Sequence, residues 1–295
     1  MPDAARAWVN EVIGPDELVV ASTAIAGATS SVVYEVTTIT RRGSRRRLVL
    51  RWYPDDAFFV DEPQAIEREA AALAVMAGSG VPAPGLVGRL DRQESAPAAI
   101  LMTHLAGRPI FDGLDPAAIR EVVDTIHAVD PGPMADFRYR GYHESAALVR
   151  PSWWQDRPAW ERVVEQTSTA RPTGPARLIH RDFHPGNLLW SDARLPGVVD
   201  WVNACVGPAG VDAAHCRVNI ALLWGPGRAD EIVRGDPAWD IELGLGILDW
   251  EADANDRWPA AIPSALAAMG APLIDIATAR RRLEAFMRRA LSALG

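Results

Sequence analysis

Apolar and polar residues alternate along much of the first third of the chain, and this period of two predicts β-strands. Three such runs, rich in Val, Thr and Ile, follow a short predicted helix at residues 2–13. Two shorter apolar runs come later, after a segment with a different period. The five predicted strands lie at residues 18–26, 31–40, 46–53, 86–90 and 98–103. Short turns between the first three favour an antiparallel meander.

The segment at residues 63–77 repeats its apolar residues with the period of an α-helix. Its apolar stripe comprises Ile66, Leu73 and Met76. Glu69 falls inside this stripe, whereas Glu67 and Arg68 are predicted to point away from it. A carboxylate on the core side of a helix needs a partner, so Glu69 is a candidate functional residue.

Beyond residue 110 the pattern changes to helices joined by longer loops. The helices are predicted at residues 116–129, 156–167, 213–224 and 274–294. Asp212 is predicted to cap the third of them. Gly107 and Pro109 interrupt the apolar pattern between the two halves. These patterns predict an α+β fold of two lobes, a β-rich lobe with a five-stranded antiparallel sheet and a helix (residues 1–104) and a mainly helical lobe (residues 105–295).

The composition is that of a globular protein, with 48% hydrophobic and 23% charged residues in a chain of 295. A net charge of −8 disfavours nucleic acid and anionic membranes as partners, because both attract basic surfaces. No apolar run approaches about 18 residues, the length needed to span a bilayer. The N-terminus lacks the pattern of a signal peptide, so we expect a cytoplasmic protein.

The basic residues, the cysteines and the histidines limit the kinds of reaction that the chain can catalyse. All 30 basic residues are arginine, so a task that ordinarily uses lysine falls to another residue in this chain. Cys205 and Cys216 are the only cysteines, too few for a disulfide scaffold or a thiolate metal site. Redox chemistry is therefore not expected. His143 and His215 belong to no recognisable motif.

One polar segment, HRDFHPGN at residues 180–187, stands between two apolar runs that are typical of strands. Asp182 and Asn187 lie five residues apart within it, and Asp200 follows at the end of the next predicted strand. A hairpin of this kind can direct all three side chains to one point. Phosphoryl transfer needs such a set, a carboxylate that orients the attacking hydroxyl and two oxygen ligands for Mg²⁺.

The segment HRDFHPGNLLW, followed by VVDW, resembles the catalytic region of the aminoglycoside phosphotransferase family. That family shares a protein-kinase-like fold with choline, homoserine and fructosamine kinases, and the resemblance extends over most of the chain. It implies that Asp182 is the catalytic base and that Asn187 and Asp200 bind Mg²⁺. His180 would then brace the segment, and His184 would shape it.

The resemblance also implies a site for ATP, or for GTP, in the first lobe. Arg51 occupies the position at which the family usually has lysine. There it would contact the phosphates, and Glu69 would hold it in place. Met102 matches the residue at the back of the adenine pocket. Main-chain groups of Thr103 and Leu105 would then bond the edge of the adenine.

The acceptor is expected to be a small molecule with a free hydroxyl. Only residues 201–211 separate Asp200 from the next helix, which leaves no room for the activation loop of a protein kinase. Residues 225–263 hold nine acids and three arginines, and nine of the eleven tryptophans lie beyond residue 150. These features favour a cationic or sugar-like acceptor, unless the acids are solvated and the tryptophans belong to the core. The sequence leaves the acceptor's identity and the oligomeric state open.

Other functions fit parts of the same pattern. A metabolic kinase of the same fold, acting on choline, homoserine or a sugar, would use the same residues. A metal-dependent hydrolase would instead bind a transition metal through His180, Asp182, His184 and Asp200. A protein that binds nucleotide without turnover would explain the arginine at the lysine position.

Overall fold

A five-stranded antiparallel sheet forms the first part of the fold. The structure is a computed structural model and describes residues 1–28, 30–54, 57–60, 62–93, 96–141, 148–169, 172–192, 194–248 and 265–295. The strands are β1 (Glu17–Ile25), β2 (Val32–Thr40), β3 (Arg45–Tyr53), β4 (Leu86–Leu90) and β5 (Ala98–Thr103). Their order is β1-β2-β3-β5-β4, and all neighbours are antiparallel. The five predicted strands, the antiparallel sheet and the meander of its first three strands are confirmed.

Different helices cover the two faces of this sheet, because side chains alternate in direction along a strand. On β3, Leu50 and Trp52 point to the face on which helix α1 (Asp3–Ile13) packs. Arg51, between them, points to the opposite face, where helix α2 (Ala65–Met76) lies. The alternation therefore places a guanidinium group beneath α2.

Helix α2 has the apolar stripe predicted for it. The stripe residues Ile66, Leu73 and Met76 are buried. Glu69 is buried with them at 1% exposure, and Glu67 is exposed. The prediction that Arg68 points away from the core is wrong. Its Nε donates to the carbonyl oxygen of Val202 at 2.5 Å, and its Nη1 lies 2.8 Å from a carboxylate oxygen of Glu62, contacts that local periodicity does not reveal.

Helices make up most of the second part of the chain. They are α3 (Pro116–His127), α4 (Arg157–Thr169), α5 (Gly210–Trp224), α6 (Pro226–Ile232), α7 (Pro237–Leu245) and α8 (Ile276–Leu294). Leu283, Phe286 and Met287 of α8 are buried in the core that these helices share. None of the helices among the described residues is long and apolar enough to cross a membrane.

Two small sheets carry the polar segment at residues 180–187. The first sheet consists of β6 (Arg108–Pro109), β8 (Leu188–Ser191) and β9 (Arg194–Val198), and the second of β7 (Ala176–Ile179) and β10 (Cys205–Pro208). β7 ends directly before the polar segment, and β8 begins directly after it. Because β8 and β9 are antiparallel, the chain returns at Asp200 to the end of the hairpin where the polar segment lies.

Candidate active site

His180 anchors the start of the polar segment in the core. Its ring is fully buried against Trp201, with 4.7 Å between the ring centroids. Its Nε2 lies 2.9 Å from the carbonyl oxygen of Val199. A carbonyl oxygen can only accept a hydrogen bond, so Nε2 carries the proton and donates it. This contact ties the segment to the residue before Asp200 and supports the bracing role.

Asp212, fully buried in the first turn of α5, accepts hydrogen bonds from the same segment. Its Oδ1 accepts from the main-chain N–H of Arg181 at 2.7 Å. Its Oδ2 lies 3.0 Å from the main-chain N–H of His180 and 2.9 Å from Nε2 of His127. The predicted helix cap is wrong, because α5 begins earlier, at Gly210. Asp212 instead holds the main chain of the polar segment in place.

We predict that Asp212→Asn destabilises the fold by about 2–3 kcal/mol, because one oxygen becomes an amino group that faces buried donors. Equilibrium denaturation with urea measures the difference in the free energy of unfolding. Asp124→Asn, at an exposed position on α3, is the matched control and should change that free energy by less than about 0.5 kcal/mol. An Asp212→Asn protein as stable as the wild type would contradict the bracing role.

Asp182 lies in this segment with its side chain 26% exposed. Its Oδ2 is 3.4 Å from Nδ2 of Asn187, and its Oδ1 is 3.7 Å from Nε2 of His184 and 3.5 Å from Nε2 of His215. Burial alone would raise the pKa of the Asp182 carboxyl, but the imidazoles and the Asn187 amide outweigh burial and lower that pKa. The carboxylate is therefore ionised at neutral pH, as a proton acceptor must be.

His184 is neutral at the same pH. Burial, partly opposed by the charge of Asp182, lowers the pKa of His184 to about 4. Its Nδ1 accepts a hydrogen bond from the main-chain N–H of Gly186 at 3.1 Å. The single proton of the ring therefore lies on Nε2, on the side of Asp182.

His215 is a site residue that no sequence motif singled out. It lies on α5, three residues after Asp212, and so shares a face of the helix with it. That spacing is the one signal in the sequence that could have connected His215 with the site. His143 lies outside the described residues.

Asn187 and Asp200 lie at the same end of the β8–β9 hairpin, where the main-chain N–H of Val199 donates to the carbonyl oxygen of Asn187 at 3.0 Å. The side-chain nitrogen of Asn187 donates to the main-chain carbonyl of Asp182 at 2.9 Å, which leaves its oxygen available to a cation. Asp200 has a left-handed backbone with a φ of 69°, a conformation that is uncommon outside glycine and frequent at functional sites. An amide oxygen and a carboxylate are ligands that Mg²⁺ accepts, so this donor set fits the ion.

Arg51 is buried between two carboxylates. Its Nη2 lies 2.7 Å from Oδ1 of Asp200, and its Nε lies 3.3 Å from Oε2 of Glu69. Burial would lower the pKa of Arg51, but Asp200 and then Glu69 outweigh burial and raise that pKa well above its ordinary value. Burial also raises the pKa of Glu69 to about 7, and Arg51 opposes this rise. Arg51 thus pairs with Glu69 as expected and, in addition, with Asp200.

The end of β5 connects the sheet with the second part of the chain. Thr103 exchanges two hydrogen bonds of 2.8 Å with the main chain of Gly85, one through its N–H and one through its Oγ1. Its N–H is therefore occupied, and its carbonyl is the main-chain group that it can offer to an adenine. Over the described part of the chain, the N–H of Leu105 has no hydrogen-bond partner. The ring of His104 points to Glu35, and its Nε2 lies 3.5 Å from Oε2 of that residue.

The described acids of the segment 225–263 are engaged within the chain. The buried side chain of Arg217 contacts Asp230 at 2.7 Å and Asp240 at 2.9 Å. Asp236 accepts a hydrogen bond from the first turn of α7. The tryptophans at positions 154, 160, 190, 201 and 239 are buried in the core. These contacts favour the structural explanation of both features, although the acids beyond residue 248 lie outside the described residues.

Solved structures of phosphotransferases share this architecture over nearly the whole chain. A thermostable mutant of aminoglycoside phosphotransferase APH(4)-Ia, in a ternary complex with ADP and hygromycin B, has 15% identity and a TM-score of 0.60, with 98% of this chain and 99% of that chain covered. Spectinomycin phosphotransferase APH(9)-Ia, in complex with ADP and spectinomycin, has 12% identity and a TM-score of 0.57, with 92% and 94% covered. The likeness confirms the predicted protein-kinase-like, two-lobed α+β fold.

The phosphotransferase enzyme family (APH) has a family model that matches residues 22–245. The chain belongs to this family. The predicted class of activity, transfer of a phosphoryl group to a hydroxyl of a small molecule, is confirmed at that level. No curated protein matches the chain significantly in sequence.

Proposed function

We propose that this phosphotransferase uses ATP and Mg²⁺ and that Asp182 is its catalytic base. The observation that carries the proposal is the arrangement of Asp182, Asn187 and Asp200 around one hairpin end, with Arg51 paired to Asp200 from the sheet. Phosphoryl transfer depends on positioning and on charge stabilisation more than on covalent chemistry. A preorganised carboxylate, two oxygen ligands and a buried cation provide both.

Each group has a separate role in the proposed reaction. The Asp182 carboxylate orients the acceptor hydroxyl and takes its proton as the hydroxyl oxygen bonds to the γ-phosphorus and the bond from that phosphorus to the departing ADP breaks. The side-chain oxygens of Asn187 and Asp200 hold Mg²⁺, whose chemistry is the neutralisation of phosphate charge. Arg51, held by Glu69, contacts the phosphates, since a guanidinium can share its donors between a carboxylate and phosphate oxygens.

The nucleotide is proposed to lie between a first lobe at residues 1–104 and a second at 105–295. The carbonyl of Thr103 and the N–H of Leu105 would bond the edge of the base, and the N–H of Leu105 has no competing partner over the described part of the chain. The complexes of the similar structures contain ADP, which supports ATP as the donor, and GTP stays an alternative. A cytoplasmic location fits the use of a nucleoside triphosphate.

A metal-dependent hydrolase receives no support from the site. Nε2 of His180 donates a hydrogen bond to the carbonyl oxygen of Val199, so this nitrogen is not free to bind a metal. Among the described residues, no group of three or more His, Cys, Asp or Glu side chains is placed to hold a metal ion.

The acceptor is proposed to be a small polyhydroxylated molecule. The similar structures hold hygromycin B and spectinomycin, and choline-, homoserine- and sugar-type acceptors remain alternatives on the same scaffold. A panel of aminoglycosides, macrolides, amino alcohols and sugars, with ATP or GTP as donor, tests the proposal. Acceptor-stimulated release of nucleoside diphosphate is the expected result. Nucleotide binding without turnover on any acceptor would instead identify a non-catalytic binder.

We predict that Asp200→Asn removes the Mg²⁺-dependent part of the thermal stabilisation by ATP. Asparagine tolerates the left-handed backbone but lacks the charge that holds the cation. In the wild type, ATP at about 100 times its Kd should stabilise the fold by about 2.7 kcal/mol. Thermal unfolding with ATP, with and without EDTA, measures the difference.

The matched control for this prediction is Asp192→Asn. Asp192 is exposed at the turn of the same hairpin and also has a positive φ, of 49°. This variant should keep the full Mg²⁺-dependent shift. An Asp200→Asn protein with the wild-type shift would exclude Asp200 as a metal ligand. A protein that responds to EDTA and ignores nucleotide would point to a hydrolase.

A further inference from the structure

Two residues on one face of helix α5, Asp212 and His215, contact the polar segment, and Asn219 on the same face contacts His215. Asp212 accepts hydrogen bonds from the main-chain N–H groups of His180 and Arg181 at the start of the segment. His215 places its Nε2 3.5 Å from Oδ1 of Asp182. Asn219 places its Nδ2 3.5 Å from Nδ1 of His215 and donates to the carbonyl of His215 at 2.9 Å. The three residues follow the spacing of one helical face, so one helix holds both the main chain and the carboxylate of the segment.

His184 and His215 direct ring nitrogens at the same carboxylate oxygen. Nε2 of His184 is 3.7 Å from Oδ1 of Asp182, and Nε2 of His215 is 3.5 Å from it. For His184 the proton lies on Nε2, because Nδ1 accepts the N–H of Gly186. Both contacts are longer than a hydrogen bond, but catalytic hydrogen bonds are often long before substrate binds and shorten in the complex.

The position of the proton on His215 follows from its neighbours. Burial, opposed by Asp182, lowers the pKa of His215, so the neutral ring carries one proton. Nδ1 lies 3.4 Å from the carbonyl oxygen of Phe183 and 3.5 Å from Nδ2 of Asn219. A proton on Nδ1 would form a hydrogen bond with the neutral carbonyl of Phe183. The lone pair of Nε2 would then face the carboxylate of Asp182. A hydrogen bond to an ionised acceptor is about twice as strong as one to a neutral acceptor, so we assign the proton to Nε2.

We propose that His215 is a positioning residue, which holds Oδ1 of Asp182 by an Nε2–H hydrogen bond and so presents Oδ2 to the acceptor hydroxyl. The inference rests on the proposed role of Asp182 as the base. Two imidazole donors at Oδ1 leave Oδ2 with the long contact to Asn187, at 3.4 Å. Oδ2 is therefore the oxygen that takes the proton. His215 itself touches neither the nucleotide nor the transferred group in this role.

Two variants of similar size separate a hydrogen-bond donor from a packing group. His215→Gln keeps a side-chain N–H at the position of Nε2, whereas His215→Leu keeps volume without a donor. We expect His215→Leu to lower kcat for MgATP turnover to ADP, with water as acceptor, by about 10- to 100-fold, the cost of a misplaced base. The KM for ATP should stay within a few fold of the wild type. His215→Gln should recover most of the rate.

The control is Cys216→Ala, which changes the neighbouring buried residue of α5 and should leave kcat unchanged. Wild-type kcat in His215→Leu would overturn the proposal. So would equal losses in the Leu and Gln variants, because these would mean that shape matters and the donor does not. Circular dichroism confirms folding, and if the Leu variant does not fold, His215→Met takes its place in the comparison with Gln.

The Asp182→Asn background separates this inference from the proposed function. If His215 acts through Asp182, His215→Leu should cause no further loss of residual turnover in that background. If Asp182→Asn is active, the base assignment itself fails. If Asp182→Asn is inactive and His215→Leu is fully active, only the role of His215 fails.

Discussion

Asp182→Asn is expected to lower kcat by about 10²–10⁴-fold, the range that a positioned general base contributes. The asparagine keeps the shape of the side chain, but it cannot accept the proton of the acceptor hydroxyl. Asp182 is not a proposed metal ligand, so the affinity for MgATP should remain within a few fold of the wild type. Steady-state kinetics combined with ATP titration by calorimetry measures both quantities.

Asp192→Asn is the matched control here as well, because it removes an exposed carboxylate from the same hairpin. Its kcat should equal that of the wild type. Near-normal turnover of Asp182→Asn would refute the base assignment. A large loss of MgATP affinity in that variant would instead place Asp182 among the groups that bind the metal or the phosphates.

The parts of the site that the sequence predicts well are those set by local periodicity. The period of two along β3 places Arg51 on the face toward α2, and the period of 3.6 places Glu69 inside the stripe of α2 that faces it. The pairing of the two at 3.3 Å therefore follows from two independent local patterns. The short connection from Asn187 to Asp200 likewise restricts them to one hairpin end.

Contacts between distant segments are the parts that local patterns do not reveal. Arg68 points into the protein because Val202, far along the chain, offers a carbonyl. His215 reaches the site because Asp212, on the same helix face, docks α5 against the segment. In each case a partner that is distant in sequence determines the surroundings of the side chain. The residue type and its position on the helix do not reveal that partner.

The number of acidic residues in a segment is a weak predictor for the same reason, because it does not reveal contacts with distant residues. The acids of residues 225–263 suggested attraction of a cationic acceptor, yet Asp230 and Asp240 surround the buried Arg217. Burying an arginine requires such compensation. A surplus of acidic residues in a segment therefore does not establish a negative surface, because the count does not say which acids already have a partner.

Arg51 combines a structural role with its proposed role in binding phosphates. A chain without lysine must place a guanidinium where the family usually has an ammonium. The guanidinium is planar and carries several fixed donors, so it contacts Glu69 and Asp200 at once. An ammonium is a compact charge with less reach. Arg51 is therefore expected to hold α2 against the hairpin even before the nucleotide binds.

Arg51→Met is expected to lower kcat/KM for ATP by about 10²–10³-fold, comparable to the loss of one preorganised donor in other active sites. It should also destabilise the fold by about 1–3 kcal/mol, because Glu69 and Asp200 lose the guanidinium that both of them contact. Arg51→Lys keeps the charge and should be more active than Arg51→Met. Kinetics with varied ATP and equilibrium denaturation measure the two effects separately.

The double variant Arg51→Met/Glu69→Gln separates the two roles of Arg51. Glutamine removes the buried carboxyl that has lost its partner, so part of the lost stability should return. Activity should not return, because no cation then faces the phosphates. If the double variant regains both stability and turnover, Arg51 serves the fold alone, and another group must balance the charge of the phosphates. If it regains neither, the unpaired carboxyl of Glu69 is not the source of the instability, and the packing of the arginine side chain itself holds α2 in place.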